Sequence, residues 1–200
     1  QERSEPTVGE YTAFADLSSA IIKLLQAHLV PDTVRSVDSI GLCSPADHGD
    51  FLLGVHLYSI DECAEMRETE TVSRGLQRQQ YPPSYYQLYY MITPYSTSSL
   101  KFRAEEEQRI LGRVAQVLRD YGFFDGDSYR PVTTPKGLDV RLEWVTLTTE
   151  EKLKIWNVPD APYRTSLFYK AQPVSMVSTK TRQIRRVTGL DLSVSEKEQA

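Results

Sequence analysis

The chain has 200 residues, 40% hydrophobic and 25% charged, with 27 acidic side chains against 23 basic ones and a formal charge of -4. These proportions are close to the globular average and exclude a wholly disordered chain, a collagen-like repeat and a membrane bundle. The acidic balance also argues against a molecule that grips nucleic acid with its whole surface. One domain, or one domain with an appendage, is expected from this length, and such a chain buries roughly 70% of its unfolded surface without staples. The one skew is aromatic, with 12 Tyr against 6 Phe and 2 Trp. Tyrosine joins an apolar ring to a polar tip, which suits half-buried strands and protein interfaces.

The first ten residues are polar and expected to fray. Asp16 reads as the N-cap of a helix whose stripe is Leu17, Ala20, Ile21, Leu24 and His28, widened by Leu25 and Leu29 and stopped by Pro31. Val37 to Leu42 reads as a strand ending near Ser44-Pro45, and Ala46 to Asp50 as a turn. From Phe51 to Ile60 apolar residues occupy both alternating sets, which predicts a strand central in its sheet. Glu62 to Gln80 has no period and reads as a long functional or mobile loop. Tyr85 to Thr93 is aromatic and β-branched, a strong strand signal.

Ser98 or Ser99 then caps a long helix through Tyr121, with Gly122 expected as a left-handed stop. Its stripe is Leu111, Val114, Val117, Leu118 and Tyr121, flanked by Ile110. Asp125 to Gly137 is a turn-rich connection. Leu138, Val140, Leu142 and Trp144 alternate against Asp139, Arg141, Glu143 and Val145, which predicts a half-buried strand with the first set inward. Thr148 and Glu151 form a capping box that opens a short helix running to Trp156. Leu167 to Val177 reads as a last strand, bulged near Pro173 and at an edge there. Hairpin-like and crossover connections mix in this order, so the expected fold is α+β, or mixed α/β, with helices packed on one sheet.

Chemistry is sparse. Cys43 and Cys63 lack CxxC spacing and read as small buried apolar residues, with a single bridge or a reactive thiol as the alternatives. His28 reads as a satisfied core or boundary histidine of the first helix rather than a ligand. His48, between Asp47 and Asp50, faintly suggests a metal or a base, but a polar turn explains it equally well. There is no HExxH, GxSxG, GxxxxGK[ST] or GxGxxG motif. Glu105, Glu106 and Glu107 read as a solvated helix face stabilised by the macrodipole. No catalytic, cofactor or metal residue is assigned, and no enzyme is expected. No run of about 20 apolar residues exists to span a bilayer. Gln1 is not expected to be the translated first residue, and the chain reads as soluble and made in the cytoplasm.

The tail is more informative. Lys180, Arg182, Arg185 and Arg186 place four positive charges within seven residues. No aromatic platform accompanies them, which argues against nucleic acid. Gln183 to Val194 keeps β-branched residues and alternation without enough apolar mass to fold alone. Such a segment gains backbone hydrogen bonds by adding a strand to another subunit; a plain disordered terminus is the alternative.

Several strings stand in a specific order: Tyr89-Tyr90-Met91-Ile92-Thr93-Pro94-Tyr95; a helix with Glu105 to Gln108 and Leu111-Gly112-Arg113-Val114; Val140 to Trp144; Leu147 to Trp156; and Ala161 to Tyr169 with Pro173-Val174. Together, over about Leu17 to Val177, they resemble the cap (tail terminator) proteins of extracellular phage-tail-like contractile injection systems. The stretch Glu62 to Gln80 and the polar start carry no matching signature. The resemblance implies a tail-terminator-like mixed sheet with flanking helices over residues 16–177. A flexible segment, 1–15, precedes it and an extended C-terminal arm, 178–200, follows. It implies a homo-oligomeric ring, hexameric, on the end of the inner tube and outer sheath distal to the baseplate, stopping polymerisation and joining the two. Implied partners are the sheath and tube proteins, with no nucleic acid, membrane or cofactor. The particle is assembled in the cytoplasm and is of a kind that can be released. Lys180, Arg182, Ile184, Arg185, Arg186 and Val187 are the residues expected to bind sheath. The alternative is another connector or baseplate-associated component of the same particle.

Overall fold

A computed structural model of the chain describes residues 11–67, 72–73, 78–126, 139–159 and 161–183. Its body is a six-stranded sheet of β1 (Ile40–Leu42), β2 (Leu53–Glu62), β5 (Ser84–Pro94), β8 (Leu167–Met176), β7 (Val140–Trp144) and β6 (Phe123–Phe124), in that spatial order. The β1–β2 pair is parallel and the other neighbours are antiparallel, so the sheet is mixed. A second sheet holds β3 (Val72–Ser73), β4 (Arg78–Gln80) and β9 (Thr181–Gln183).

Alternation along β5 decides which side each residue serves. Leu88, Tyr90 and Ile92 join the main core with two helices, α1 (Ala13–Leu29) and α2 (Leu100–Tyr121). Met91, on the opposite face, packs with Phe168, Tyr95 and Trp156 beneath a short helix, α3 (Thr149–Ile155). In α1 the four deepest residues are Leu17, Ile21, Leu25 and Leu29, one per turn. In α2 they are Ile110, Leu111, Val114, Val117 and Leu118. The expected α+β architecture, helices on one mixed sheet, is the one observed.

Several boundaries differ from the sequence reading, each for a local reason. The first helix starts at Ala13, which is buried, so packing carries the helix past Asp16; Thr12 is the N-cap and its hydroxyl donates to the Asp16 carboxylate at 2.6 Å. Val37–Ser39 is a 3-10 turn, held by the Ser36 side chain accepting from the Asp38 N–H at 3.3 Å, and only Ile40–Leu42 is strand. The Glu62 to Gln80 stretch is not an unstructured loop. It contains a 3-10 turn, Ala64–Met66, and two short strands, β3 and β4. Residues 68–71 and 74–77 lie outside the described residues.

Gly122 follows α2 as expected but is not left-handed, with φ at -73°. Glycine stands there because a Cβ would collide with the Leu118 carbonyl oxygen. The bulge near Pro173 is present: register shifts where Gln87 of β5 faces β8 between Ala171 and Val174. Pairing with β7 reaches only Gln172, so β8 is interior up to there and an edge beyond it. Thr148 closes the capping box, accepting from the Glu151 N–H at 3.3 Å while Glu151 accepts from the Thr148 N–H at 2.8 Å. The polar start to residue 10 and the connection over 127–138 lie outside the described residues.

Candidate functional site

The expected sheath-binding residues split at the end of β9. Lys180 rests over the Tyr81 ring, its Nζ 4.9 Å from the centroid, and Tyr81 donates its N–H to the Lys180 carbonyl at 3.2 Å. Arg182 is exposed and pairs in register with Gln79 of β4. The Gln80 side chain donates to the Ser178 carbonyl. The base of the arm therefore spends its backbone hydrogen bonds on β4 of the same chain. The far edge of β9 closes the three-stranded sheet and faces no further strand among the described residues. Ile184, Arg185, Arg186 and Val187 lie outside the described residues.

The tyrosine-rich strand lies inside the sheet. It is third of six strands, so Tyr90 is fully buried and Tyr86 packs edge-on against Phe14, ring centroids 5.2 Å apart. Exposed aromatic area lies elsewhere. Phe123 and Trp144 are 55% and 56% exposed at the β6–β7 edge. There, among the described residues, the end of α2 leaves the sheet uncovered over a groove of about 690 Å³, lined also by Leu118, Arg119, Arg141 and Tyr169. Alternation placed Trp144 inward with Val140 and Leu142. It does point to that face, but α2 stops short of it, and its only ring partner among the described residues is Tyr169, edge-on at 5.4 Å. A run of exposed aromatics beside an edge strand was missed because the sequence does not say where helical cover ends.

Tyr95 organises the other end of β5. His48 stacks on its ring at 3.9 Å, and the Arg164 guanidinium lies 5.4 Å from its centroid. Arg164 also pairs with Glu107 at 2.9 Å, both side chains being partly buried. Glu107 further accepts from the Ser96 N–H at 3.3 Å, while the Ser96 hydroxyl donates to Glu106. Only Glu105 keeps the expected solvated role, pairing with Arg109 one turn on. The triplet sits beyond the first turn of α2, so partner side chains explain Glu106 and Glu107 where the macrodipole does not.

The serine hydroxyls hold the Glu106 carboxyl below its ordinary value, Ser96 first and Ser98 second. Its folded form is thus the stronger acid, and the stability it lends is present above the unfolded pKa and lost as pH falls through the folded one. Urea midpoints are expected to drop on acidification below about pH 4, and Glu106→Gln should flatten that part of the profile.

The thiols and histidines offer little chemistry. Burial first, then the Asp47 carboxylate, pushes the Cys43 thiol up to about 11, so at neutral pH it is no nucleophile. Cys63 is buried and unbridged. Burial lowers His56, which leaves it neutral near pH 7. His28 is the boundary residue expected, stacked on Tyr121 at 4.3 Å. Tyr58, pushed up to about 12 chiefly by burial, stays protonated beside Tyr89 and α3. Among the described residues no group of three or more His, Cys, Asp or Glu could hold a metal ion, and no helix is long and apolar enough to cross a membrane.

What stands out among the described residues is two open surfaces, the aromatic groove and the far edge of β9, on a body whose buried polar groups are mostly paired internally. The sequence model of the Pvc16 N-terminal domain family matches residues 16–189. No curated protein matches the sequence. Two cryo-EM structures share the fold. One is the sheath/tube terminator of an extracellular contractile injection system, PVC, in the extended state, with 18% identity, a TM-score of 0.59, and 92% of this chain and 64% of that chain covered. The other is the tube terminating cap of the anti-feeding prophage, AFP, with 20% identity, a TM-score of 0.51, and 90% and 61% covered. This chain spans less than two thirds of the length of either.

Proposed function

Because the chain belongs to the Pvc16 N-terminal domain family, we propose that it acts in the tube/sheath terminator cap of a contractile injection system. The observation that carries this reading is the family match over residues 16–189, and its fold-level likeness to two terminator caps supports it. The role is structural: the chain ends a polymer by shape and shared backbone pairing and makes or breaks no covalent bond. The body, 16–177, sits at the end of the particle distal to the baseplate, in a six-membered ring that contacts tube and sheath. The arm, 178–200, reaches the sheath through Lys180, Arg182, Ile184, Arg185, Arg186 and Val187. The particle is assembled in the cytoplasm and is of the extracellular kind.

Physics makes the role coherent. A helical assembly built from heterologous contacts continues until its exposed surface changes. A cap must offer one face that fits the last layer and another to which no further layer binds. Backbone hydrogen bonds at the open edge of β9 suit a joint under contractile load, because they are loaded together along the strand. The basic residues of the arm set register against an acidic sheath surface more than they set affinity.

Imaging intact particles that carry a tagged copy of this chain tests the reading. Extra density at the end opposite the baseplate is expected. Density at the baseplate, or along the sheath, would overturn it.

A further inference from the structure

A third open surface lies along the other side of the main sheet. There β1 pairs with only the start of β2, Leu53 to Val55, while β5 pairs with β2 as far as Glu62. The last backbone bond on the β1 side runs from the Cys43 N–H to the Val55 carbonyl at 3.2 Å. Beyond it, among the described residues, no strand pairs with the outer edge of β2. Burial follows the pairing: Leu53 to Val55 are buried, His56 to Ser59 half-buried, and Ile60 to Glu62 exposed. Beside this edge, under α1, runs a groove of about 490 Å³ whose lining includes Phe14, Leu42, Val55 and Leu57 and no Asp, Glu, Lys or Arg. Where the edge ends the charges are acidic: Asp61, Glu62 and Glu65 stand against Arg67, which Glu62 already holds at 2.7 Å. On the α3 side Lys154 is likewise taken, by Glu150 at 2.6 Å, and Glu151 adds a further acid. Asp61 belongs to no ion pair among the described residues.

We propose that the outer edge of β2, from His56 to Glu62, is an acceptor site for an extended basic segment of a partner chain. The segment pairs with β2 as an added strand, its alternate apolar side chains enter the groove, and a Lys or Arg meets Asp61. Three observations lead there. The acceptor is already formed, because β5 holds β2 extended over its ten residues, so only the incoming segment loses freedom. Successive side chains of a strand point to opposite faces, and the groove offers an apolar lining on the α1 face of the position an added strand takes. The unpaired acid at the end of the edge selects a basic occupant and repels an acidic one. The register shift between Leu57 and Ser59, together with the acids, blunts the edge against indiscriminate pairing, which a selective site requires. The arm of a second copy is basic too, but its positive residues are those given to the sheath, so it enters as an outcome of the test. The site goes beyond the cap reading and stands without it.

The test uses the 200-residue chain and a fluorescein-labelled peptide of alternating Val and Lys, followed by anisotropy and by amide hydrogen exchange. Binding is expected, with exchange slowed between His56 and Glu62. Peptides with Glu for every Lys, or Ser for every Val, should each bind about tenfold more weakly or worse. A Val-Lys peptide N-methylated throughout, which has no backbone donors, should not bind. In the chain, Asp61→Lys should raise the Val-Lys dissociation constant about tenfold and lower that of the Val-Glu peptide. A folding defect would not produce that reversal, and Asp61 is exposed, so the variant should keep its fold. No binding of the Val-Lys peptide, equal binding of the Val-Glu, Val-Ser exchanged or N-methylated peptide, an unchanged preference in Asp61→Lys, or protection outside β2 would each overturn the site. A peptide of residues 181–194 that binds this edge tenfold more tightly than Val-Lys, or slower exchange in β2 as the chain alone is concentrated, would overturn the partner chain as occupant and put a second copy there. The cap reading is decided separately, by the position of the chain in the particle.

Discussion

Replacing Tyr90 by Ala should cost about 3–5 kcal/mol of folding stability, while Tyr90→Phe should cost about 1 kcal/mol. Tyr90 is fully buried where β5 meets α1, and its hydroxyl lies 2.9 Å from that of Ser18. Ser18 commits its own proton to the Phe14 carbonyl at 2.8 Å, so Tyr90 is the donor. Phe removes that one bond and leaves Ser18 its own bond to Phe14. Ala removes the ring that spaces helix from sheet and leaves a cavity. With a total stability of about 5–15 kcal/mol, the Ala variant approaches unfolding under mild conditions. Urea midpoints followed by far-UV circular dichroism measure both. Equal losses in the two variants would mean that the ring does not seat α1 on the sheet.

Gly54→Ala is the second large effect, expected at about 1–3 kcal/mol. Gly54 lies in β2 beneath Tyr95, and a Cβ there would collide with the Cys43 sulfur and meet Tyr95 Cε2 at 2.9 Å. Tyr95 cannot retreat easily, being clamped between the His48 ring and the Arg164 guanidinium. Cys43→Ala removes the nearer obstacle. The double variant should therefore recover part of the loss, a coupling that equilibrium unfolding of all three chains reads directly. Strict additivity would show that the sulfur is not what excludes a side chain at position 54.

Much of this fold is legible in the sequence, because packing against water writes a period into it. The aromatic and β-branched run of β5 is a strand, the stripes of α1 and α2 are helical, and the Thr148–Glu151 pair caps α3, as their spacing predicts. What escapes is set by contacts distant in sequence. Strands β4 (Arg78–Gln80) and β9 (Thr181–Gln183) are short and polar. They become strands because each meets the other's backbone across about a hundred residues of chain. Glu107 reads as a surface acid until Arg164 arrives from 57 residues away. The exposure of Phe123 and Trp144 depends on where α2 ends relative to the sheet, which no local period encodes. The same limit applies to the candidate sites. The basic cluster of the arm is visible in the sequence, whereas the groove is visible only once the end of α2 is set against the sheet.

A chain with this role is a plug that works by fit. The most direct measurement is the length and end structure of sheath and tube in particles assembled without it, seen by electron microscopy. Overlong tubes of broad length distribution, with frayed or detached sheath at the end opposite the baseplate, are the predicted result, and restoring the chain should return blunt ends. Particles of normal length with normal ends in its absence would contradict that role.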